Sequence, residues 1–179
     1  MTDSIESLTT EEIKGTVDFA LITIREDEFT AALHFFPPTG EFKGKQRTYE
    51  ISDFKTSDGS DYRAALFRST EQGHSAAQAA ASDVISDLEP TWLVLVGIAG
   101  AVPETEFSLG DVVVATRIID FSVTAALEDG ATETALKSSP AHKAIQDLVS
   151  RLAALKSRLG DWNTPARLGS TLPSVSIDD

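Results

Sequence analysis

Cysteine is absent from the 179 residues, which excludes disulfides, thiolate nucleophiles and thiolate metal sites and suits a reducing cytoplasm. Positive charge is scarce: 15 Lys and Arg stand against 28 Asp and Glu, a formal net charge of -13. Such a field repels nucleic acid and anionic membrane, so neither is an expected partner, and any phosphate-bearing ligand needs a local set of donors. Long apolar runs are missing too. The longest, Trp92 to Val102, falls short of the roughly 20 residues that span a bilayer. The first residues, "MTDSIESLTTEEIKG", are acidic where a signal peptide is basic, and a cytoplasmic location is the expectation. His34, His74 and His142 lie far apart without metal-ligand spacing, and no serine sits in a G-x-S-x-G elbow. No metal or cofactor is expected.

What is present suffices for one well-filled core, with 41% hydrophobic residues. Residues 1–16 are expected as a polar lead-in, a short helix or loose segment with Thr9 and Glu12 spaced as a capping box. Residues 17–179 are expected as a single domain. "VDFALITI", Val17 to Ile24, is a compact apolar run that predicts a buried strand, and "EDEFTAALHFF" predicts a helix with Phe29, Leu33 and Phe36 on one face. "FPPTGEFKGKQ" predicts a loop or hairpin, "RTYEISDF" an exposed strand and "YRAALFRST" another strand. An alanine-rich helix follows to about Leu88, with Ser75 as its expected cap. Trp92 to Gly97 predicts a buried strand, "DVVVATRIIDF" a further strand, and the spacing of Ile145, Leu148, Leu152 and Leu155 an amphipathic helix closed by Gly160.

Strands separated by helices, with buried-type strands lacking a polar face, predict an α/β fold of helix, sheet and helix layers around a mixed, mostly parallel sheet. Ligands collect at the carboxyl ends of strands in such sheets. That rule nominates the end of "ALITI", the "TEQGHS" turn with Gly73, and the "GIAG" turn with Ile98, Ala99 and Gly100. Each has a plainer reading. The glycine turn can simply need small residues, Gly73 can serve helix entry alone, and Glu26, Asp27 and Glu28 suit a first helical turn electrostatically. Arg25 and Arg68 stand at predicted strand ends, where arginine can meet phosphate or remain solvated. The pair Gly97 and Gly100 does not make the three-glycine dinucleotide fingerprint.

In order, "ALITIREDEFTAAL" and "TEQGHSAAQAAASDVISDLEPTWLVLVGIAGAVPETEFSLGDVVVATRIIDF" resemble the nucleoside phosphorylase superfamily, which includes purine nucleoside and uridine phosphorylases and the methylthioadenosine/adenosylhomocysteine nucleosidases. The resemblance implies a nucleoside- or nucleotide-binding glycosyltransferase fold of purine metabolism, cleaving an N-glycosidic bond with phosphate or water as co-substrate. It implies Glu28 as the catalytic carboxylate near an attacking water, and Arg25, Gly73, Ile98, Ala99, Gly100 and Phe121 as ligand-binding residues. A homo-oligomer, or a place in a larger multidomain assembly, is the implied setting.

Two turn positions depart from the family's pattern: Ile98 stands where serine or threonine is common, and Ala101 replaces a second glycine. Nothing after residue 123 matches the Met-Glu pair that holds the ribose hydroxyls in the family, or the acid that helps protonate the base. The expectation is therefore the N-terminal part of such a domain, incomplete at its C-terminus, with little turnover by these residues alone. The alternative is a non-catalytic nucleotide-sensing or scaffolding module of a larger signalling or defence protein.

Overall fold

The computed structural model describes residues 6–100, 111–120, 124–126, 132–134 and 137–159. The chain divides into two compact units, Met1–Gly100 and Ala101–Asp179.

In the first unit, β1 (Glu6–Leu8), α1 (Thr10–Ile13), β2 (Phe19–Thr23), α2 (Glu26–Phe35), β3 (Gly40–Lys43), β4 (Thr48–Lys55), β5 (Asp61–Arg68), α3 (His74–Leu88) and β6 (Trp92–Leu95) follow one another along the chain. The strands form one sheet in the order β1-β3-β4-β5-β2-β6. The pairs β1–β3, β2–β5 and β2–β6 are parallel, whereas β3–β4 and β4–β5 are antiparallel. The expected mixed, mostly parallel sheet is thus present.

Side-chain alternation along the strands builds a layer on each face. Ala20, Ile22, Ala65 and Phe67 point with Tyr49 and Ile51 toward Ile13 of α1 and Ala80, Val84 and Leu88 of α3. Leu21, Ala64 and Leu66 point the other way, where Phe29, Ala32, Leu33 and Phe36 of the α2 segment cover them. The helical face expected of Phe29, Leu33 and Phe36 is the one that packs. Residues expected as a lead-in contribute more than a loose segment: β1 joins the sheet edge, and Ile13 is fully buried. The capping box forms, with the Thr9 N–H and hydroxyl both donating to Glu12 Oε2 at 2.8 Å.

Three expectations need correction. "RTYEISDF" is not an exposed strand: β4 lies between β3 and β5, and Tyr49, Ile51 and Ser52 are buried, so its alternation reflects two covered faces. Ser75 does not cap α3. The N-cap is Gly73, at φ +105, a conformation that a residue with a Cβ rarely adopts. The Trp92–Leu95 strand forms but is not buried; among the described residues it pairs with β2 alone, and Leu93, Val94 and Leu95 are exposed.

In the second unit, β7 (Arg117–Asp120) pairs antiparallel with β10 (Lys137–Pro140), and β8 (Thr124–Ala126) with β9 (Thr132–Thr134). The strand expected over "DVVVATRIIDF" is realised only in β7; Asp111 to Ala115 is described without regular structure, its valines exposed. The amphipathic helix is α4 (Lys143–Leu159), where Ile145, Leu152 and Leu155 are partly buried and Leu148 is exposed. Gly160, its expected end, lies outside the described residues. No described helix is long and apolar enough to cross a membrane.

Candidate functional site

The three places nominated from the sequence are brought together by strand order. β5, β2 and β6 are adjacent and parallel, so their carboxyl ends open on the same rim of the sheet. Main-chain hydrogen bonds continue past the strands: Ser69 N–H donates to Thr23 O at 2.8 Å, and Val96 N–H to Ile22 O at 2.9 Å. The side chains of Arg68 and Glu26 form an ion pair at 3.6 Å between the ends of β5 and β2.

Glu28 is the centre of this rim. It is the third residue of α2, and its Oε2 accepts the N–H groups of Ile24 at 3.1 Å and Arg25 at 2.9 Å, closing the helix start. Oε1 accepts the N–H of Ile98 at 2.8 Å, which ties β2 to the curl that follows β6. Glycine at 97 makes the approach possible, because a Cβ there would stand 3.1 Å from the same oxygen. The Ile98 hydrogen bond, followed by that from Arg25, holds the Glu28 carboxyl below its ordinary value of 4.5. Glu28 is therefore an ionised hydrogen-bond acceptor at neutral pH and not a proton donor.

Arg25 does not reach free into the rim. Its Nε and Nη2 meet the two oxygens of Asp27 at 2.9 and 2.8 Å, and this fork lowers the Asp27 carboxyl to about 2. Arg25, Glu26, Asp27, Thr30, His34, Phe35, Arg68, Thr70 and Gln72 line a wide, open groove of about 1040 Å³ along α2. Gly73, Ile98, Ala99 and Gly100 are not among its walls. Gly73 opens α3 in the loop that leaves β5, and the curl at Ile98 is open rather than sealed, with Ile98 71% exposed. Phe121 lies outside the described residues.

Arg68 is the residue that sequence reasoning noticed and then left aside. The signal was its place at the end of an apolar strand, and the register that sets it opposite Thr23 explains its contact with α2. Thr23 itself gave no signal. Its hydroxyl is buried at the end of β2 without a hydrogen-bond partner among the described residues. The described residues hold no cluster of three or more metal-ligating side chains.

A layered sheet with three parallel carboxyl ends meeting at one rim defines an α/β ligand-binding fold. The family model described as the phosphorylase superfamily matches residues 19–172, and the chain belongs to that superfamily, the nucleoside phosphorylase superfamily that its motifs resemble. No curated protein and no solved structure matches the chain.

Proposed function

We propose that the chain is the nucleoside- or nucleotide-binding part of an N-glycosidic bond-cleaving domain, with the rim of β5, β2 and β6 as its ligand site. The supporting observation is the Glu28 clasp, which sets an ionised carboxylate and a main-chain curl side by side at the strand ends. Such cleavage passes through an oxocarbenium-like sugar, with the base leaving as it is protonated and phosphate or water taking its place. Glu28 orients the nucleophile in this reading; Ile98, Ala99 and Gly100 face the sugar or base, and Arg25, Gly73 and Phe121 complete the ligand contacts. A small-molecule nucleoside is the partner, and a homo-oligomer or larger assembly is the proposed setting in the cytoplasm.

Binding without turnover, as in a sensing module, is the second reading. It is favoured by Ile98, which has no side-chain hydroxyl where one is common in the family, and whose main-chain N–H is taken by Glu28. Calorimetric titration of the purified chain with adenosine, adenine, ATP and phosphate tests the shared claim. Heat of binding from a nucleoside or nucleotide supports it; silence across the panel contradicts both readings. Release of free base separates the first reading from the second.

A further inference from the structure

We infer that α4 is a docking helix for a partner helix whose apolar seam is flanked by Asp and Glu. This surface belongs to the second unit, and its occupant is independent of the nucleoside reading.

Ile145, Leu148, Leu152 and Leu155 recur along α4 at alternating steps of three and four, and the sequence continues the pattern to Leu159. That is the heptad spacing of the two seam positions at which one helix receives another, a narrower stripe than a helix lays on a core. Among the described residues no strand or helix packs along α4. Leu148, at the centre of the seam, is 41% exposed, more than a leucine covered by its own fold would be.

Charge chooses the occupant. The positions beside a heptad seam face their counterparts on the partner and select it by charge. Here they hold Val149, Arg151, Lys156 and Arg158, three cations and no acid, in a chain whose formal net charge is -13. The one acid of the helix, Asp147, lies away from the seam and holds Arg151 at 2.7 Å. Both members of that pair are well exposed, so it is weak, and Arg151 is free to turn toward a carboxylate across the seam. A second α4, parallel or antiparallel, would set cation against cation and is disfavoured. An anionic membrane is disfavoured as well: α4 has no aromatic residue to seat in an interface, and the charge of the whole chain opposes approach. A helix with acidic flanks meets both the seam and the cations.

The test titrates the whole chain into a labelled synthetic helix of about three heptads, with Leu and Ile on its seam and Glu at the flanking positions, read by fluorescence anisotropy. The control peptide carries Lys in place of Glu. The Glu peptide is expected to bind with a Kd of about 10–100 μM, and to weaken by about 3-fold or more between 50 and 300 mM NaCl. The Lys peptide is expected to show no binding up to about 1 mM. Arg151→Glu combined with Lys156→Glu is expected to reverse the preference, weakening the Glu peptide by about 10-fold or more and admitting the Lys peptide. A merely structural role of the two cations would not produce that exchange. Leu148→Asp is expected to abolish binding with an unchanged thermal midpoint. Should the charge-reversed chain fail to fold, the two peptides and their salt dependence on the unaltered chain decide. Equal binding of both peptides, or of neither, overturns the inference. So does a collapse of the fold in Leu148→Asp, which would place the seam inside the chain's own core. Dimerisation in sedimentation that Leu148→Asp abolishes gives the seam to a second copy, and binding to vesicles of equal parts phosphatidylcholine and phosphatidylserine without the Glu peptide gives it to a membrane; either result overturns the inference.

Discussion

Glu28 and Ile98, 70 positions apart in the chain, share a hydrogen bond of 2.8 Å from main-chain N–H to carboxylate. The same carboxylate closes the first turn of α2 through Ile24 and Arg25. A local helix cap thereby doubles as a clasp between the ends of two neighbouring strands. Ile98→Pro removes the donor and is expected to lower stability by about 1 kcal/mol, below the usual range for a hydrogen bond to a charged group because this one is exposed to solvent. Ile98→Ala keeps the donor and is expected to change little. Denaturant midpoints of the two variants, compared with the parent, check the difference.

The lowered Glu28 carboxyl fixes the sign of a pH effect. Its hydrogen bonds favour the ionised form in the folded chain, so the stabilisation is complete above the ordinary value of 4.5 and is lost as pH falls through the lower folded value. Glu28→Gln cannot titrate. Its stability is expected to fall less steeply than the parent's between about pH 5 and pH 3, measured by urea unfolding at each pH. Parallel curves for the two proteins contradict the hydrogen-bonded arrangement.

On the opposite face of the sheet, Gly44 lies against Asp87. A Cβ at Gly44 would stand within contact of Asp87 Oδ2, which accepts from the Tyr49 hydroxyl at 3.1 Å and from Lys45 N–H at 3.3 Å. Asp87 is buried in the last turn of α3, so it has little room to yield. Gly44→Ala is expected to cost about 1–3 kcal/mol through overpacking, visible as a lower thermal midpoint. An unchanged midpoint would show that the hairpin shifts freely.

Thr23 supplies the opposite sign. Its buried hydroxyl has no partner among the described residues, and an unsatisfied polar group costs free energy in an apolar setting. Thr23→Val keeps the branched shape and removes the hydroxyl, and is expected to raise stability by about 1 kcal/mol in chemical denaturation. Loss of stability would mean that the hydroxyl serves a partner.

The layers were legible because hydrophobic period and strand chemistry agreed. "ALITI" and "AALF" are apolar on both faces and became adjacent strands covered on both sides, and Phe29, Leu33 and Phe36 announced the covering face of α2. Trp92 to Leu95 looked equally buried, but a strand's text does not say whether anything lies beyond it, and β6 stands at the sheet edge among the described residues. Ser75 drew attention as a capping residue, whereas the positive φ at Gly73 decided the helix start. The family resemblance singled out both Glu28 and Ile98, but not the hydrogen bond between them. A main-chain N–H has no signature in sequence, and only strand order brings it to the carboxylate.

Mapping a nucleoside onto the rim by main-chain amide shifts is the most direct test of the account. Titration with adenosine is expected to move resonances from Ile24 to Glu28 and from Gly97 to Gly100 together, since Glu28 couples the two segments. Shifts confined to the groove along Ala31, His34 and Phe35, or no shifts at saturating nucleoside, would contradict a ligand site at the ends of β5, β2 and β6.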